Sequence, residues 1–485
     1  MRLTVLFLAL IACTALAGNW TTVGGNNEHN GLSDELGPRT GELAWSAWTP
    51  PATISMQAFT WYSLVVTMRY NFSPMAGTLV CHNLVTGDTV WTRLYRPAGK
   101  FVPIGISEGR VFCRNFRETG NDSLFCVDAS DGAILWQSRW TVPVGIVWCG
   151  VFCPNGDVVI PGAEHPVMRI AAATGDTVWT LNRPTPNTGA EWMAEHDGIL
   201  YTWTGYINTP KRLLAVDMNS GVILDSTAAL PGDGDQEQPL VISPDGVVYA
   251  QRDGGLLYAL RYTDSGFVTL WTRNGGGSVW MNYGVGPDST VYVPIDRRMF
   301  RLDPATGAVK DSSPELVTGD ELVPRTSIDR EGYVYVMATT GTGEGKLWAL
   351  TPDLDTLWHH DYGFTYYSGP AIGFGGTTVI PAAGTLIDAY RPTTAIGTGT
   401  DVVTGTALSA RPNPFRTSTT ITLPGGATVS IFNAQGQLVG TMVSNGGRAT
   451  WDGRDDSGTR LPAGAYVCRV RSGTTTGRLR LILTN

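Results

Sequence analysis

The sequence predicts an all-β fold built from eight copies of one repeat, followed by a smaller β domain. Seven copies contain a Thr-Gly, Ser-Gly or Asp-Gly turn, and in most copies the strand that follows it ends in Trp. The copies begin at Thr40, Thr86, Asp131, Thr174, Ser220, Ser265, Thr306 and Asp353, between 41 and 47 residues apart. Strand-rich repeats of this length are typical of propeller blades. The 59 glycines agree with many short strands joined by tight turns.

One repeat can be divided into strands directly from its residues. Apolar runs at 240–243, 247–250 and 256–260 are separated by Pro-Asp-Gly and Gly-Gly turns, and a fourth strand ends at Trp271. Short apolar runs bounded by turn residues predict strands. Four antiparallel strands per repeat, arranged around an axis, make a propeller.

The two ends of the repeat region predict how the ring closes. The first turn-and-Trp motif, ending at Trp45, has no strands of its own before it, and the last repeat, 369–390, lacks that motif. Adding the strand at 41–48 to the last repeat completes eight blades and removes an open edge. Seven blades with an irregular start are the alternative.

The first seventeen residues predict a secretory signal peptide. Arg2 precedes an apolar run, and Ala15-Leu16-Ala17 forms a small-residue cleavage site before Gly18. The run is too short to span a bilayer, and we expect no transmembrane segment. Leu10-Ile11-Ala12-Cys13 also resembles a lipobox, so a lipidated Cys13 is the alternative.

The remaining chain divides into a propeller region at 18–392, a Gly/Thr-rich linker at 393–410 and a compact domain at 411–485. The compact domain has nine arginines and three aspartates, a net charge of +6. Since the whole chain carries −8, the rest carries −14. An acidic body argues against nucleic acid as a partner.

The repeats resemble those of pyrroloquinoline-quinone (PQQ)-type propellers. The resemblance rests on turns such as Asp303-Pro304-Ala305-Thr306-Gly307, and on Leu-Tyr-Ala-Leu strands followed by Thr-Gly and Trp. In that family the blade Trp docks neighbouring blades. The resemblance implies this structural role for Trp91, Trp136, Trp179, Trp271 and Trp358.

The C-terminal domain resembles two related families. Its motifs are Pro-Asn-Pro-Phe from Pro412, Gly-Gln-Leu-Val from Gly436, Trp-Asp-Gly-Arg-Asp from Trp451 and Gly-Ala-Tyr from Gly464. They resemble the sorting domain of type IX (Por) secretion cargo and the Ig-like domain of flagellar hook-capping proteins. The first family implies a transport signal and the secretion machinery as a partner. A plain Ig-like module is the alternative.

Catalytic motifs are not found in the sequence. Quinone dehydrogenases often have adjacent cysteines and a calcium site, and this chain has no Cys-Cys pair. We therefore expect no cofactor. His359-His360-Asp361 and the acidic run at 233–237 are interpreted as edge-strand residues and a solvated turn. Cys113 and Cys126 are the best candidates for a disulfide in an exported protein.

One set of residues is a candidate binding surface. Aromatic and acidic residues recur where the inner strand of a blade is predicted to start at the channel mouth. They are Trp61, Tyr62, Trp148, Glu191, Trp192, Trp280, Tyr283, Tyr366 and Tyr367. Aromatic rings beside carboxylates suit stacking on a glycan or gripping a peptide. Filling of the narrow hub is the alternative.

These observations predict a secreted or cell-surface protein of a bacterial envelope. We expect a non-catalytic binding or scaffold module that contacts a glycan or protein ligand through the propeller face. A secreted polysaccharide hydrolase or lyase, and a propeller lipoprotein that assists outer-membrane assembly, are the alternatives.

Overall fold

β-Strands account for nearly all the regular structure of the protein. The computed structural model describes residues 18–52, 54–55, 57–72, 75–95, 100–116, 122–142, 150–161, 166–185, 192–205, 209–231, 240–252, 256–274, 283–318, 322–340, 345–363, 365, 368–382, 384–391, 409–413, 415–423, 426–433, 438–462, 464–472 and 475–483. Within these ranges there are forty strands and one 3-10 helix. The all-β prediction is confirmed.

Eight antiparallel sheets, called sheets 1 to 8 in chain order, occupy the described residues from Leu43 to Tyr390. The chain enters them with strand β1 (Leu43–Ala52), which belongs to sheet 8. Sheet 1 contains β2 (Ile54–Ser55), β3 (Phe59–Trp61), β4 (Leu64–Phe72), β5 (Met75–Asn83) and β6 (Thr89–Leu94). Sheet 2 contains β7 (Lys100–Ser107), β8 (Arg110–Phe116), β9 (Asp122–Asp128) and β10 (Ile134–Val142).

The next three sheets repeat the four-stranded pattern. Sheet 3 contains β11 (Val151–Phe152), β12 (Val158–Pro161), β13 (Pro166–Ile170) and β14 (Thr177–Asn182). Sheet 4 contains β15 (Met193–His196), β16 (Ile199–Thr204), β17 (Arg212–Asp217) and β18 (Ile223–Ser226). Sheet 5 contains β19 (Leu240–Ile242), β20 (Val248–Arg252), β21 (Leu256–Thr263) and β22 (Gly266–Asn274).

The last three sheets complete the series. Sheet 6 contains β23 (Gly284–Val285), β24 (Val291–Ile295), β25 (Arg298–Leu302) and β26 (Val309–Ser312). Sheet 7 contains β27 (Val323–Ile328), β28 (Val334–Thr339), β29 (Gly345–Leu350) and β30 (Thr356–Asp361). Sheet 8 contains β31 (Ala371–Ile372), the 3-10 helix Phe374–Gly376 on the way to β32 (Thr378–Pro381), and β33 (Gly384–Tyr390). In sheets 2 to 7 the strands are paired in chain order, as the repeat predicts.

The N-terminal strand completes the last sheet. Strand β1 pairs antiparallel with β33, with Leu43 opposite Tyr390 and Trp48 opposite Leu386. The prediction that the N-terminal strand joins the last repeat is confirmed. The two strands come from opposite ends of the repeat region. Their pairing gives the edge of β33 a hydrogen-bonded neighbour.

Buried apolar clusters connect each sheet to the next. Separate clusters join sheets 1 and 2, 2 and 3, 3 and 4, 4 and 5, 5 and 6, 6 and 7, and 7 and 8. A further cluster contains Val65 and Val80 of sheet 1 together with Val379 and Ile387 of sheet 8. Among the described residues, the order of packing therefore returns to its start.

The Trp and Gly of the repeated motif meet across the interface between two sheets. The Trp91 indole Nε1–H donates to the carbonyl of Ala129 in the next sheet at 2.9 Å. Gly132, in the same turn, has φ +73°, and a Cβ there would lie 2.9 Å from the Trp91 ring. Equivalent indole–carbonyl bonds join Trp45 to Leu84, Trp136 to Ala172, Trp179 to Met218, Trp271 to Pro304 and Trp358 to Pro38. The Gly of each motif therefore packs against the Trp of the preceding sheet, and the Trp of the same motif packs against the turn of the following sheet.

In sheet 4, Asp225 occupies the position that Trp has in the other motifs, and it makes a polar contact with the next sheet instead. Its Oδ2 accepts the backbone N–H of Phe267 at 3.1 Å. The Phe267 ring packs edge-on against Tyr201 of sheet 4. An aromatic residue of the next sheet thus occupies this joint.

The N-terminal segment at 20–33, called the hoop, hydrogen-bonds to the first strand of every sheet. In sheet 1, β2 and β3 both pair with β4 and together count as the first strand. The hoop does so in chain order at the C-terminal ends of those strands. The pairs are Trp20 with Thr60, Thr21 with Ile106, Asn27 with Phe152 and Glu195, Glu28 with Ile242, Asn30 with Val285, Gly31 with Ile328, and Ser33 with Ile372. Because all eight first strands end on it, the hoop closes this end of the central hub.

A partly buried ion pair fixes the chain between the hoop and β1. Arg39 binds the Asp329 carboxylate, whose side chain is fully buried, and its guanidinium lies 3.5 Å from the centre of the Tyr333 ring. Asp329 also accepts the backbone N–H of Gly37 at 2.9 Å. Removing one partner of a buried pair leaves an uncompensated charge, so this contact anchors the segment to sheet 7.

The C-terminal residues form two further sheets over a separate apolar core. One contains β34 (Ser409–Arg411), β35 (Thr419–Thr422) and β38 (Arg448–Trp451). The other contains β36 (Thr428–Phe432), β37 (Leu438–Val443), β39 (Gly464–Ser472) and β40 (Thr475–Leu483). Their shared core includes Phe415, Trp451, Tyr466 and Cys468. This two-sheet arrangement agrees with the predicted Ig-like sandwich.

The predicted disulfide between Cys113 and Cys126 is wrong. Both are free, buried thiols. In the register of β8 and β9, Cys113 lies opposite Phe125, and Cys126 lies opposite Phe112. Because successive side chains alternate between the two faces of a sheet, the two sulfurs lie on opposite faces and cannot bond.

The Gly–Trp joint predicts unequal effects for two alanine substitutions. Gly132 and Gly198 both have positive φ, but a Cβ at Gly198 would meet nothing within 4 Å. Gly132→Ala should cost the same backbone strain as Gly198→Ala plus about 1–3 kcal/mol of overpacking against the Trp91 ring and the Arg93 side chain. Denaturant unfolding of both variants measures the difference. Equal losses would show that the indole does not constrain the turn.

Candidate functional site

The structure places the predicted binding residues at different points along the first strands of their sheets. Trp61 and Tyr62 lie at the end of the first strand, beside the hoop, rather than at its start. The predicted register was wrong here because sheet 1 has an additional short strand, β2, before β3. Trp192 and Tyr283 immediately precede the first strands of sheets 4 and 6, before the residues of those strands that bond to the hoop. These four residues therefore do not form one ring.

Three of the predicted binding residues are buried. Trp61, Trp192 and Tyr283 are 3%, 1% and 0% exposed, and each belongs to an apolar cluster between sheets. The binding interpretation is not supported for them, because a ligand cannot stack on a ring that is already covered. Tyr62 is half-buried, and its backbone N–H donates to Asn19 Oδ1 at 2.6 Å. Trp148, Glu191, Trp280, Tyr366 and Tyr367 lie outside the described residues.

The centre of the hub is filled by the hoop rather than left open. His29 of the hoop is fully buried and meets the Trp192 ring edge-on, with ring centroids 5.9 Å apart. Burial lowers the pKa of His29 to about 4, so its imidazole is neutral at neutral pH. Val23 packs in the same cluster as Trp192. This end of the hub is a packed core.

Two polar side chains of the hoop contact sheet 4. Asn27 Nδ2 donates to Glu195 Oε2 and to the Phe152 carbonyl, each at 2.8 Å. Glu195 Oε1 accepts the backbone N–H of Gly198 at 2.7 Å. His196 Nδ1 lies 3.4 Å from Glu28 Oε1. We call Asn27, Glu28, Glu195 and His196 the hoop cluster.

Two titratable groups of the hoop cluster have shifted pKa values. The hydrogen bond from His196 to Glu28 raises the pKa of the imidazole, with Asp197 and Glu195 contributing further negative charge. Burial raises the pKa of Glu195, although hydrogen bonds from Gly198 and Asn27 oppose this. The cluster thus combines the pair of His196 and Glu28 with a second acid, Glu195, that bonds to Asn27 and Gly198. Its chemistry suits a pH-sensitive attachment of the hoop.

The histidine pair suggested by the sequence is separated by the alternation of strand β30. His359 packs on the Trp348 ring, with centroids 4.5 Å apart. His360 Nε2 lies 2.9 Å from the Gly41 carbonyl and its ring lies beside Tyr390. Within the described part of the chain, no group of three His, Cys, Asp or Glu side chains could hold a metal ion.

Sequence reasoning did not predict that the hoop bonds to every sheet. Its residues carry no hydrophobic periodicity, and their hydrogen bonds join them to eight distant strands. The signal available was the density of Asn and Gly at Gly24, Gly25, Asn26, Asn27, Asn30 and Gly31. Such residues favour turns and side-chain bonds to backbone, and they do not by themselves specify a partner.

Family models match two parts of the chain. Residues 75–313 match the PQQ_2 family, described as outer membrane protein assembly factor BamB. Residues 415–476 match the FlgD Ig-like domain. The resemblance to PQQ-type propellers and to an Ig-like domain of the hook-capping type is confirmed. The comparison with curated proteins gives no match.

Solved structures share the fold of the larger region. Quinohemoprotein alcohol dehydrogenase from Comamonas testosteroni is 13% identical with a TM-score of 0.57, covering 78% of this chain and 81% of that one. BamB from Moraxella catarrhalis is 12% identical with a TM-score of 0.53, covering 72% and 99%. The computationally designed protein Ika8 is 15% identical with a TM-score of 0.53, covering 72% and 100%. At these identities the likeness establishes a propeller fold alone.

The hoop cluster predicts a pH-dependent stability contribution. The folded pKa of His196 is raised, so the pair with Glu28 stabilises the protein fully below the ordinary histidine pKa of about 6.5 and loses its effect as pH rises through the raised value. Glu28→Gln should therefore cost about 1 kcal/mol or less at pH 5.5 and almost nothing at pH 9. Denaturant unfolding at both pH values measures the loss.

A matched control is available in sheet 5. Asp245 pairs with Arg261 at 2.7 Å, and no histidine takes part in this pair. Burial acts to raise the pKa of Asp245, but hydrogen bonds from Ser243 and Ser289 and the charge of Arg261 hold it below its ordinary value, so the carboxylate is charged at both pH values. Asp245→Asn should cost the same at both pH values. A loss in Glu28→Gln that does not change with pH would contradict the assignment of His196 as the titrating partner.

Proposed function

We propose that the protein is an exported, non-catalytic propeller that acts as a binding or scaffold module at a bacterial cell surface. The supporting observation is the match of residues 75–313 to a family described as an outer membrane protein assembly factor. The sequence-predicted leader at 1–17 supports export. Among the described residues, no helix has the length and apolar character needed to span a membrane.

We propose that the eight sheets are eight blades around one axis. The clusters between successive sheets, the cluster between sheets 8 and 1, and the ordered contacts of the hoop all support this count. Seven blades would leave one of these sheets outside the ring. The propeller would then serve as a rigid support for its loops.

The proposed binding face is the end of the propeller opposite the hoop. The hoop occupies the ends of the first strands, and its polar groups are engaged with backbone there. The chain segments that precede the first strands therefore form the proposed contact surface for a glycan or protein ligand. Trp148, Glu191, Trp280, Tyr366 and Tyr367 fall on those segments in the sequence.

We propose that the C-terminal domain is a sorting signal for type IX secretion. The support is its match to the FlgD Ig-like domain together with the sequence motifs that this domain shares with sorting domains. A lipoprotein of outer-membrane assembly is the second candidate, favoured by the family description and requiring a lipidated Cys13. In that candidate the propeller would stay on the periplasmic side.

The sorting proposal predicts where a truncated protein stops. In a host with type IX secretion, the full chain should reach the cell surface, and a chain ending at residue 392 should remain in the periplasm. Protease accessibility on intact cells and fractionation measure both. Surface delivery of the truncated chain would contradict the sorting role, and a lipid on Cys13 would favour the second candidate.

The binding proposal predicts which aromatic residues matter. Trp148→Ala and Tyr366→Ala should each reduce binding of the intact protein on glycan and peptide arrays by about tenfold, as expected for a stacking contact. Trp48→Ala is the matched control, because Trp48 is 66% exposed on β1 at the outer edge of sheet 8. Loss of binding in the control alone would place the ligand on the rim instead.

A further inference from the structure

The four-stranded sheet of the C-terminal domain has one apolar face and one cationic face. Cys468 of β39 belongs to the apolar core between the two sheets of the domain. The next residue, Arg469, therefore lies on the outer face, and the register places Arg478 of β40 directly opposite it. Arg471 and Arg480 lie two positions further along the same strands, so they share that face. We call these four positions the arginine face.

Within its described strands, the same sheet contains no Asp or Glu to balance these arginines. The positions of β36 that share the arginine face are Thr428, Ser430 and Phe432. The three aspartates of the domain lie in the loop 452–456, and Asp456 accepts the backbone N–H of Thr441 at the β37 edge, at 3.0 Å. Like charges directly opposite each other destabilise a sheet. An anionic surface packed on the arginine face would relieve this repulsion.

The propeller region presents acidic turns at the end where the hoop lies. In sheets 1 to 7 the turns between the third and fourth strands, called the outer turns, contain seven aspartates and no Lys or Arg. Third strands run in the same direction as first strands, so the outer turns lie at the hoop end, outside the hoop. Asp303 and Asp353 pair with Lys310 and Arg301. The exposed members are Asp88, Asp131, Asp176, Asp264, Asp353 and Asp355.

The chain leaves the propeller region among these turns. Strand β33 is the third strand of sheet 8, so its last residue, Tyr390, lies at the hoop end. The next residue, Arg391, donates to the Val85 carbonyl in the outer turn of sheet 1 at 2.8 Å. Asp88 belongs to the same turn, and sheet 7, which shares a buried cluster with sheet 8, contributes Asp355. Acids of two outer turns therefore flank the point of exit.

The connection to the C-terminal domain is short. Residues 392–408 separate Arg391 from the start of β34, and seventeen residues span at most about 60 Å. A tether of this length gives the arginine face an effective concentration on the order of millimolar at the outer turns. A contact within one chain is thus favoured over the same contact with a second copy.

We propose that the arginine face docks on the outer turns of sheets 1 and 7 in the same chain, with Asp88 and Asp355 as its anionic partners. In the docked state the domain hides its arginines from other acidic partners. The inference concerns two surfaces of this chain and holds whether or not the protein is exported.

The charges of the two regions give the contact its salt dependence. The C-terminal domain carries +6 and the rest of the chain −14, so the two attract each other over a distance. The Debye length falls from about 30 Å at 0.01 M salt to about 3 Å at 1 M. Exposed ion pairs are individually weak, so the docked state should be reversible. We expect a compact chain at low salt and an open one at high salt.

Small-angle X-ray scattering of the purified chain from residue 18 onward tests this. Its radius of gyration should increase by about 3 Å between 10 mM and 1 M NaCl, as expected when a small domain separates from a large one. The double variant Arg469→Gln/Arg478→Gln should have the larger radius already at 10 mM. The matched control, Arg411→Gln/Arg448→Gln, removes two exposed arginines from the other sheet of the domain and should stay compact.

The acidic side has its own pair of variants. Asp88→Asn/Asp355→Asn should open the chain at 10 mM NaCl. Asp176→Asn/Asp264→Asn, which removes two exposed acids from the outer turns of sheets 3 and 5, should leave it compact. Denaturant unfolding of each variant checks that the domains remain folded.

Three outcomes would overturn the proposal. The first is an equal radius of gyration of the unaltered chain at both salt concentrations, which needs no variant to interpret. The second is opening by either control pair to the same extent as by its test pair. The third is a scattering mass that doubles with protein concentration at low salt, which would assign the arginine face to a second copy. None of these measurements involves secretion or a ligand, so their failure is distinguishable from failure of the proposed function.

Discussion

The structure depends on a single N-terminal segment that connects all eight sheets. A ring of separate sheets, each packed only on its neighbours, has two ends that must be joined against the entropy of the chain. Residues 20–33 bond to the first strand of every sheet, Arg39 binds Asp329 of sheet 7, and β1 then pairs with β33. Fewer than forty residues thus join the sheets at the inner strands through the hoop, attach to sheet 7 through Arg39, and join the two ends of the repeat region through β1.

The joints between sheets are repeated copies of one contact. An indole of one sheet lies over a glycine of the next and donates its N–H to a carbonyl of the same turn. Positive φ at the glycine is what allows the turn to approach the ring so closely. The contact needs only the apolar surface of the indole and one indole–carbonyl hydrogen bond. It can therefore recur at interfaces whose other residues differ. The joint at Asp225 shows that it can also be replaced by a polar contact.

The closure restricts where function can lie. At the hoop end the first strands are covered, the buried imidazole of His29 is neutral, and Asn27 and Glu195 bind each other and the backbone. A surface whose polar groups are already engaged has little left for a ligand. The proposed function therefore involves the opposite face and the basic C-terminal domain, whose charge of +6 contrasts with the acidic rest of the chain.

The sequence by itself determined the elements that depend on neighbouring residues. The period of the motif predicts four strands per repeat. The motif ending at Trp45 has no strands before it, which predicts that β1 joins the last sheet. Separate motifs predict the C-terminal domain. These features depend on turn residues and alternation, which act over a few positions. The same logic failed at Trp61 and Tyr62, where one additional strand shifted the register.

Only the tertiary structure decided which side chains and segments of different sheets contact each other. The free state of Cys113 and Cys126, the burial of Trp192 and Tyr283, and the path of the hoop all follow from which faces of which strands meet. The residues of the hoop are small and polar, and their partners are up to 339 positions away. Composition identifies such a segment as turn-forming, but only the tertiary structure brings together the strands of the eight described sheets that hold it.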